Sequence, residues 1–251
     1  MKTLGVPLKI ENMHAETFWK LSVSVNCFAG PISSELATQA GAGRRFQLLQ
    51  EFPKDSSLLK KICRVQVRLL EDGYQCWLNL SDILSRAFSC GAWKAELVSS
   101  DQIEKRIPNV LSWLKQAAGQ KNKYLWGGTI GPDFDCSGLV QAAFSSEGIW
   151  LPRDASQQER FCRNLETSLS DYQTLMRGDL LFFGSPNKCT HVAIYLGHGF
   201  YCHSSGIQNG RNGIGCDGIE LVDNNPVANY YRSQFRSAGR VLHSYGGTTL
   251  L

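Results

Sequence analysis

The hydrophobic positions of this chain alternate in its first part and recur at helical spacing in its second. Residues 1 to about 20 show little periodicity. From about Leu21 to Leu97 the chain reads as short strands divided by turn signals. SVSVNCF (22–28) alternates, AGPISS (29–34) turns, Gly41 to Arg45 breaks the pattern, and FQLLQEF (46–52) follows. PKDSS (53–57) reads as loop. ICRVQVRLL (62–70) sets Cys63, Val65, Val67 and Leu69 against Ile62, Arg64, Gln66 and Arg68. EDGY (71–74) is a hairpin-turn signal through Asp72-Gly73, after which CWLNL (76–80) returns. Short strands with turns this frequent predict a small β-barrel. Lys60, Lys61, Arg64 and Arg68 read as a solvated outer strand face.

Between Ser99 and Ile107 the pattern changes, so a domain boundary is expected near residue 100, giving units of 1–100 and 101–251. Pro108 is expected to open a helix as its first residue, and Val110, Leu111, Leu114, Ala117 and Ala118 continue it to Gly119. A second helix starts at Cys136 and can run to Gly148, a plausible stop. LPRDASQQERFCRNL (151–165) carries Asp154 with Gln157 three residues on, a capping box. LLFF (180–183), HVAIYL (191–196), FYCHSS (200–205) and RVLH (240–243) read as strands, the middle two as a hairpin around Gly197-His198-Gly199. Gly206 to Gly218 lacks the lysine and Ser/Thr of a phosphate loop and reads as a long surface loop. GGTTLL at the end reads as loose. Helices followed by an antiparallel sheet make the second part α+β.

The candidate chemistry centres on YLWGGTIGPDFDCSGLVQAAF (124–144). Gly127, Gly128, Gly131 and Pro132 break regular structure before Cys136, and Leu139, Val140, Ala142, Ala143 and Phe144 follow it. Cys136 therefore falls in the first turn of a largely apolar helix. Unpaired N–H groups and the helix dipole favour negative charge there. Such positions lower a cysteine pKa from about 8.5 toward roughly 3.5–7.5. Cys136 reads as a nucleophile against the competing reading of a buried structural cysteine. A thiol nucleophile needs a base, and the base an orienting group. His191 and His203 lie six residues either side of Gly197. A tight hairpin makes them cross-strand neighbours on one face, with Cβ atoms roughly 4.5–5.5 Å apart if directly opposite. Asp135 reads as the N-cap of the helix.

Composition narrows the rest. The chain has 251 residues, 43% of them hydrophobic and 19% charged, with no run of about 18 apolar residues to cross a membrane. A net charge of +4 gives no case for nucleic acid. The nine cysteines form no CxxC pair, which argues against a disulfide framework or a cysteine zinc site and fits a reducing cytoplasm. The N-terminal segment lacks an apolar core and a small-residue cleavage site, so no secretory signal is expected.

FDCSGLVQAAF, GDLLFFG, THVAIYLG and YCHSS, in that order, resemble the NlpC-type cysteine peptidases, papain-like enzymes that cut peptidoglycan peptides. The resemblance covers about residues 105 to 245. SSELATQAGAGRRF and EDGYQCWL resemble the bacterial SH3-like domains joined to such peptidases. Together they resemble the cyanobacterial-type two-domain γ-D-glutamyl-L-diamino-acid endopeptidases. The resemblance implies an SH3-like β-barrel followed by a papain-like α+β catalytic domain. It implies Cys136 as nucleophile, His191 as base, His203 as the residue orienting it, and Tyr124 at the oxyanion hole beside the Cys136 N–H. It implies that Asp135, Ser137 and Tyr74 hold the substrate's terminal amine and that Arg153 and Ser156 touch the peptide. Cys76 stands where the family has a small residue after Tyr74.

The expectation is a cytoplasmic cysteine peptidase of murein recycling, without metal or organic cofactor. It would cut between D-γ-glutamate and meso-diaminopimelate in free tripeptides or tetrapeptides with an unblocked L-alanine. Two alternatives stay open. One is an exported wall hydrolase anchored by the SH3-like domain, and the other a catalytically silent murein-fragment binding protein.

Overall fold

The computed structural model describes residues 5–50, 63–220 and 225–247. The chain forms two compact units, one ending at Ala95 and one of Glu96–Tyr245, with Gly246 rejoining the first. The expected loop 53–57, Lys60, Lys61 and the chain end past Gly247 lie outside the described residues.

The first unit holds β1 (Phe18–Leu21), β2 (Val25–Phe28), β3 (Leu36–Ala40), β4 (Arg45–Leu48), β5 (Arg64–Leu69), β6 (Gln75–Asn79), α1 (Leu80–Ile83) and β7 (Ala87–Cys90). Among the described residues its strands make one antiparallel sheet in the order β3-β2-β6-β5-β4-β1-β7. The alternation in β5 is what the sequence dictates: Val65, Val67 and Leu69 are buried with Trp19, Phe46 and Leu78. Strands β1 and β3 carry weaker signals. β1 turns only Trp19 and Leu21 inward, and β3 turns in Thr38 and Ala40, too few apolar groups for a visible period. Arg64 departs from the expected solvated face. Its guanidinium lies 3.6 Å over the Phe28 ring and donates to Asn79 Oδ1 at 2.8 Å and the Gly30 carbonyl at 3.0 Å.

The second unit holds α2 (Ser100–Ala118), α3 (Cys136–Ser145), α4 (Ala155–Phe161), β8 (Arg163–Leu165), β9 (Leu180–Ser185), β10 (Lys188–Gly197), β11 (Phe200–Ser205), β12 (Gly213–Gly218), α5 (Pro226–Ser233) and β13 (Phe235–Arg240). Its strands form an antiparallel sheet in the order β12-β11-β10-β9-β13-β8. Both faces are covered. Leu180, Phe182, Val192, Ile194 and Cys202 pack with α2 and α3, while Leu181, Phe183, Ala193, Tyr195 and Tyr201 pack with α5. Burial on two faces is why LLFF reads as a continuous run.

Three expectations are corrected. Helix α2 opens at Ser100, not Pro108. Gln102 Oε1 accepts from Ser99 N–H at 2.9 Å, and Ser99 Oγ accepts from Gln102 N–H at 3.4 Å. The apolar stripe Ile103, Ile107, Val110, Leu111 and Leu114 runs through the proline, so its burial offsets the hydrogen bond the proline cannot make. The last strand is 235–240 rather than 240–243. Its Gly239 is fixed by packing, since a Cβ there would come 2.6 Å from the Cys162 Cβ. Within Gly206–Gly218, β12 pairs along the whole of β11. Glycines hide that strand from propensity, and the neighbouring ladder decides it.

Candidate active site

Asp135 caps α3, accepting from Gly138 N–H at 2.7 Å, and so sets Cys136 as its first residue. The preceding loop is pressed onto this turn. Asp135 N–H donates to the Gly128 carbonyl at 3.1 Å, and a Cβ at position 138 would come 2.0 Å from that oxygen. Glycine is therefore required two residues after the cysteine. Ser204 of β11 donates to the Phe134 carbonyl at 2.6 Å, fixing the loop against the strand that carries His203.

Asp135 does more than cap. Its Oδ2 accepts from Gly127 N–H at 2.9 Å and from Arg153 Nη2 at 2.5 Å, and its Oδ1 accepts from Arg153 Nη1 at 3.2 Å. Arg153 Nη1 also donates to Ser137 Oγ at 2.9 Å. Arg153 is only 2% exposed. Three residues expected at the substrate thus form one buried ion-paired cluster beside Cys136. Ser156 is half-buried in the first turn of α4 and makes no hydrogen bond to this cluster among the described residues. Tyr74 belongs to the first unit, half-buried against its core.

The expected lowering of the Cys136 pKa is reversed. The residue is 6% exposed, and burial pushes its thiol up to about 12, helped by the Asp135 charge. Backbone N–H groups of Val192 and Ser137 and the Arg153 charge oppose the rise without overcoming it. Burial therefore favours the neutral thiol at rest. The Tyr124 hydroxyl is held above its ordinary range by burial and by the charges of Cys136 and Asp135, which puts it within electrostatic reach of the sulfur.

His191 and His203 face one another as expected, with a shifted register. The turn residues His198 and Gly199 both have positive φ, 54° and 77°, the pattern of a two-residue primed turn. The pairs Ile194↔Cys202 and Tyr195↔Tyr201 follow, so His203 stands opposite residue 193 and His191 is its diagonal neighbour. His191 Nε2 and His203 Nδ1 are 2.7 Å apart. His203 Nε2 lies 2.7 Å from Asp217 Oδ2, and Asp217 Oδ1 accepts from Arg211 Nη2 at 2.6 Å and Asn225 Nδ2 at 3.1 Å. The Tyr231 ring stacks on His191 at 4.2 Å, its hydroxyl bonded to Ser205 Oγ at 2.7 Å and Asn209 Nδ2 at 2.9 Å.

Protonation states follow from this network. Burial holds His191 well below the usual histidine range, and the neighbouring His203 adds to the effect. Burial also lowers His203, against the pull of Asp217. Burial favours a neutral Asp217, but the hydrogen bond and charge of His203, with Asn225 and Arg211, outweigh it and lower that carboxyl. Near neutral pH both imidazoles are uncharged and Asp217 is a carboxylate, an acceptor only. His203 must then donate from Nε2 and accept at Nδ1. His191 donates from Nε2, and its Nδ1 keeps a lone pair. The site is a buried thiol and a histidine whose free nitrogen is set by a three-residue relay.

Sequence reasoning missed Asp217, Arg211 and Tyr231. Asp217 and Arg211 lie in the glycine-rich stretch. Tyr231 lies on α5, whose signal was Asn225 as cap with Pro226 at the first helical position. Among the described residues no cluster of three or more His, Cys, Asp or Glu side chains is arranged to hold a metal, and no helix is long and apolar enough to cross a membrane. A cavity of about 620 Å³ opens elsewhere in this unit, beside Ile103, Glu104, Ile107, Arg177 and Arg240, and contains none of these site residues.

The NlpC/P60 family profile matches residues 121–237, and that of the bacterial dipeptidyl-peptidase Sh3 domain matches residues 28–83. A gamma-D-glutamyl-L-lysine dipeptidyl-peptidase of Bacillus cereus is 39% identical over 84 residues, 32% of this chain and 24% of that protein. The bifunctional muramidase/DL-endopeptidase CwlT of Bacillus subtilis is 42% identical over 92 residues, 34% of this chain and 26% of that protein. This chain thus spans about a quarter of the length of those two relatives. The murein DD-endopeptidase MepS/murein LD-carboxypeptidase of Escherichia coli is 30% identical over 149 residues, 57% of this chain and 71% of that protein. With that coverage, and with both profiles matching in the order the sequence motifs lead one to expect, the chain belongs to the NlpC/P60 family.

Proposed function

We propose that this chain is a cysteine peptidase that hydrolyses the bond between D-γ-glutamate and meso-diaminopimelate in free murein stem peptides. The observation that carries the reading is the relay His191–His203–Asp217, which leaves one nitrogen open on His191, the residue preceding Val192, whose backbone N–H reaches the Cys136 thiol at the helix start. In the mechanism His191 Nδ1 takes the Cys136 proton as sulfur attacks the γ-carbonyl. The imidazolium so formed passes its charge toward His203 and Asp217. The Cys136 N–H and the Tyr124 hydroxyl stabilise the tetrahedral oxyanion, and single donors of this kind are worth about 10²–10³ in rate. His191 then protonates the leaving amine, and water hydrolyses the acyl-enzyme with His191 as base. The pair starts neutral, so proton transfer accompanies attack rather than preceding it.

The printed names of the relatives support the substrate class: one acts on γ-D-glutamyl-L-lysine as a dipeptidyl-peptidase, and another is a murein endopeptidase. We assign the free L-alanine amine to Asp135 and Ser137. Arg153 already shares the Asp135 charge, so preference for a free amine falls at the low end of about 2–5 kcal/mol, or roughly thirtyfold. This selection for unblocked peptides points to recycling rather than wall cutting.

The test is product analysis by mass spectrometry. Purified protein is given L-Ala-γ-D-Glu-diaminopimelate, its N-acetyl form, the lysine analogue and whole sacculi. Release of L-Ala-D-Glu from the free diaminopimelate peptide is expected. Equal rates on the acetylated peptide, or a preference for sacculi, would contradict the recycling reading. No cleavage of any substrate would leave a murein-fragment binder.

A further inference from the structure

We propose that Cys202 and Cys216 are an oxidisable thiol pair, a modification site for low-molecular-weight disulfides that sits beside the histidine relay. The two residues are directly opposite in the β11–β12 ladder. Antiparallel partners have Cα atoms about 4.5–5.5 Å apart, inside the roughly 4.4–6.8 Å that a disulfide spans. Side chains of directly opposed antiparallel residues share one face of the sheet, so the two thiols face each other. β12 is the edge strand of its sheet, and Cys216 is exposed there. Cys202 is 1% exposed and packs in the core beneath the helices.

The two thiols are unequal in a useful way. The facing Cys202 thiol lowers the Cys216 thiol, against the effects of burial and Asp217. The same contact, with burial, pushes Cys202 far up. Cys216, exposed on the edge strand, is the attacking thiolate, and Cys202, buried behind it, is the resolving thiol. In the first step the Cys216 sulfur bonds to one sulfur of the reagent disulfide. The reagent S–S bond breaks, and one thiolate leaves. In the second step Cys202 sulfur attacks Cys216 sulfur, its proton passing to the departed thiolate. The Cys202–Cys216 bond forms, the mixed disulfide breaks, and the second reagent sulfur leaves as a thiolate that takes back from solvent the proton Cys216 gave up. The two cysteines lose two electrons, and the reagent is reduced to two thiols.

Other cysteines provide the contrast. Cys76 also has Cys27 as a near neighbour, but both are buried in the first unit's core, out of reach of a reagent. Cys63 is exposed and has no facing thiol among the described residues. The location matters because His203 follows Cys202 and Asp217 follows Cys216. A bond between the cysteines ties together the two strands whose next residues make the His203–Asp217 contact.

The test treats the full chain with oxidised glutathione, blocks remaining thiols with N-ethylmaleimide and maps peptides by mass spectrometry. A Cys202–Cys216 disulfide is expected before any other. Cys216→Ser should abolish it. Cys202→Ser should stop the reaction at a stable glutathione adduct on residue 216. The cross-linked chain should melt about 5 °C or more above the reduced one, and dithiothreitol should reverse the shift. A glutathione adduct that persists on Cys216 with Cys202 present, or a Cys27–Cys76 bond forming as fast, would overturn the proposal. Equal melting of reduced and cross-linked chains would remove the claim that the bond ties the strands.

Discussion

Each unit of this protein buries a charged network at a turn or strand edge, and the two networks end differently. In the first unit Arg44 donates to Glu71 at 2.9 Å and lies 2.9 Å from Asp72. Glu71 also accepts from Arg45 N–H at 2.9 Å, and Asp72 accepts from Tyr74 N–H at 3.1 Å. Two cations and two anions close on each other and on the backbone of the Asp72-Gly73 hairpin, Arg45 Nη1 lying 3.6 Å from Glu71 Oε1. In the second unit the relay runs from Arg211 through Asp217 and His203 to His191 and stops at a bare nitrogen. A closed network holds a turn. An open-ended one leaves a free acceptor nitrogen, here on the residue before Val192, whose backbone N–H reaches the buried Cys136 thiol. The same burial that makes both networks costly to break gives only the second a chemical outlet.

The largest effect that separates the two is at Cys136. Cys136→Ala should lower kcat/KM by about 10⁵-fold or more, as removal of a nucleophile does. Its Tm should stay within a few degrees, because one sulfur is lost from a site that alanine fills. His191→Ala should be nearly as damaging. Retained turnover in Cys136→Ala would end the mechanism.

Breaking the closed network should do the reverse. Arg44→Ala removes the cation that lies 2.9 Å from each of the buried carboxylates Glu71 and Asp72, leaving Glu71 only the longer Arg45 contact, and should cost about 3–5 kcal/mol of stability. Denaturant unfolding of the first unit reads this directly, and kcat at saturating substrate should not move. A drop in kcat with unchanged stability would erase the distinction.

Next come the inner members of the relay. Asp217→Asn should lower kcat about 10²-fold or more, because an amide no longer dictates the His203 tautomer. His203→Ala should be worse than His203→Asn or His203→Gln, whose amides can still accept from His191. If the three variants at 203 were equally inactive, orientation would not be the role of that residue.

How much of this was legible in sequence follows from the range of the interactions involved. The Asp135 cap, the Cys136 helix start and the alternation of β5 are written within a few residues, and local reading reaches them. The histidine pair was legible as one face of a hairpin, but its register depended on which two residues made the turn. Asp217 was not legible, because its strand is glycine-rich and is fixed by β11 rather than by its own residues. The Arg153–Asp135 pair joins two helix starts 18 positions apart, a contact that spacing does not encode. The Cys136 pKa was misread because the dipole argument is local, while burial depends on the whole unit.

A smaller effect sharpens the comparison through pH. His191 and His203 are held neutral in the folded chain, whereas in the unfolded chain each takes up a proton below about 6.5. The unfolded state then binds more protons, so stability is full above that pH and declines as pH falls. The slope is up to about 1.4 kcal/mol per pH unit for each histidine. His203→Asn should remove one of the two contributions, while Arg44→Ala should leave the slope unchanged. Urea midpoints from pH 7 to 5 measure both.

The most direct test of the open-ended relay is nitrogen NMR of the chain labelled with ¹⁵N-histidine, read at pH 7. The account predicts that His191 and His203 are both neutral and protonated at Nε2, with couplings across the His191–His203 contact. It predicts that Asp217→Asn disturbs this pattern. A charged His191, or a neutral one carrying its proton on Nδ1, would leave no base facing Cys136 and would contradict it.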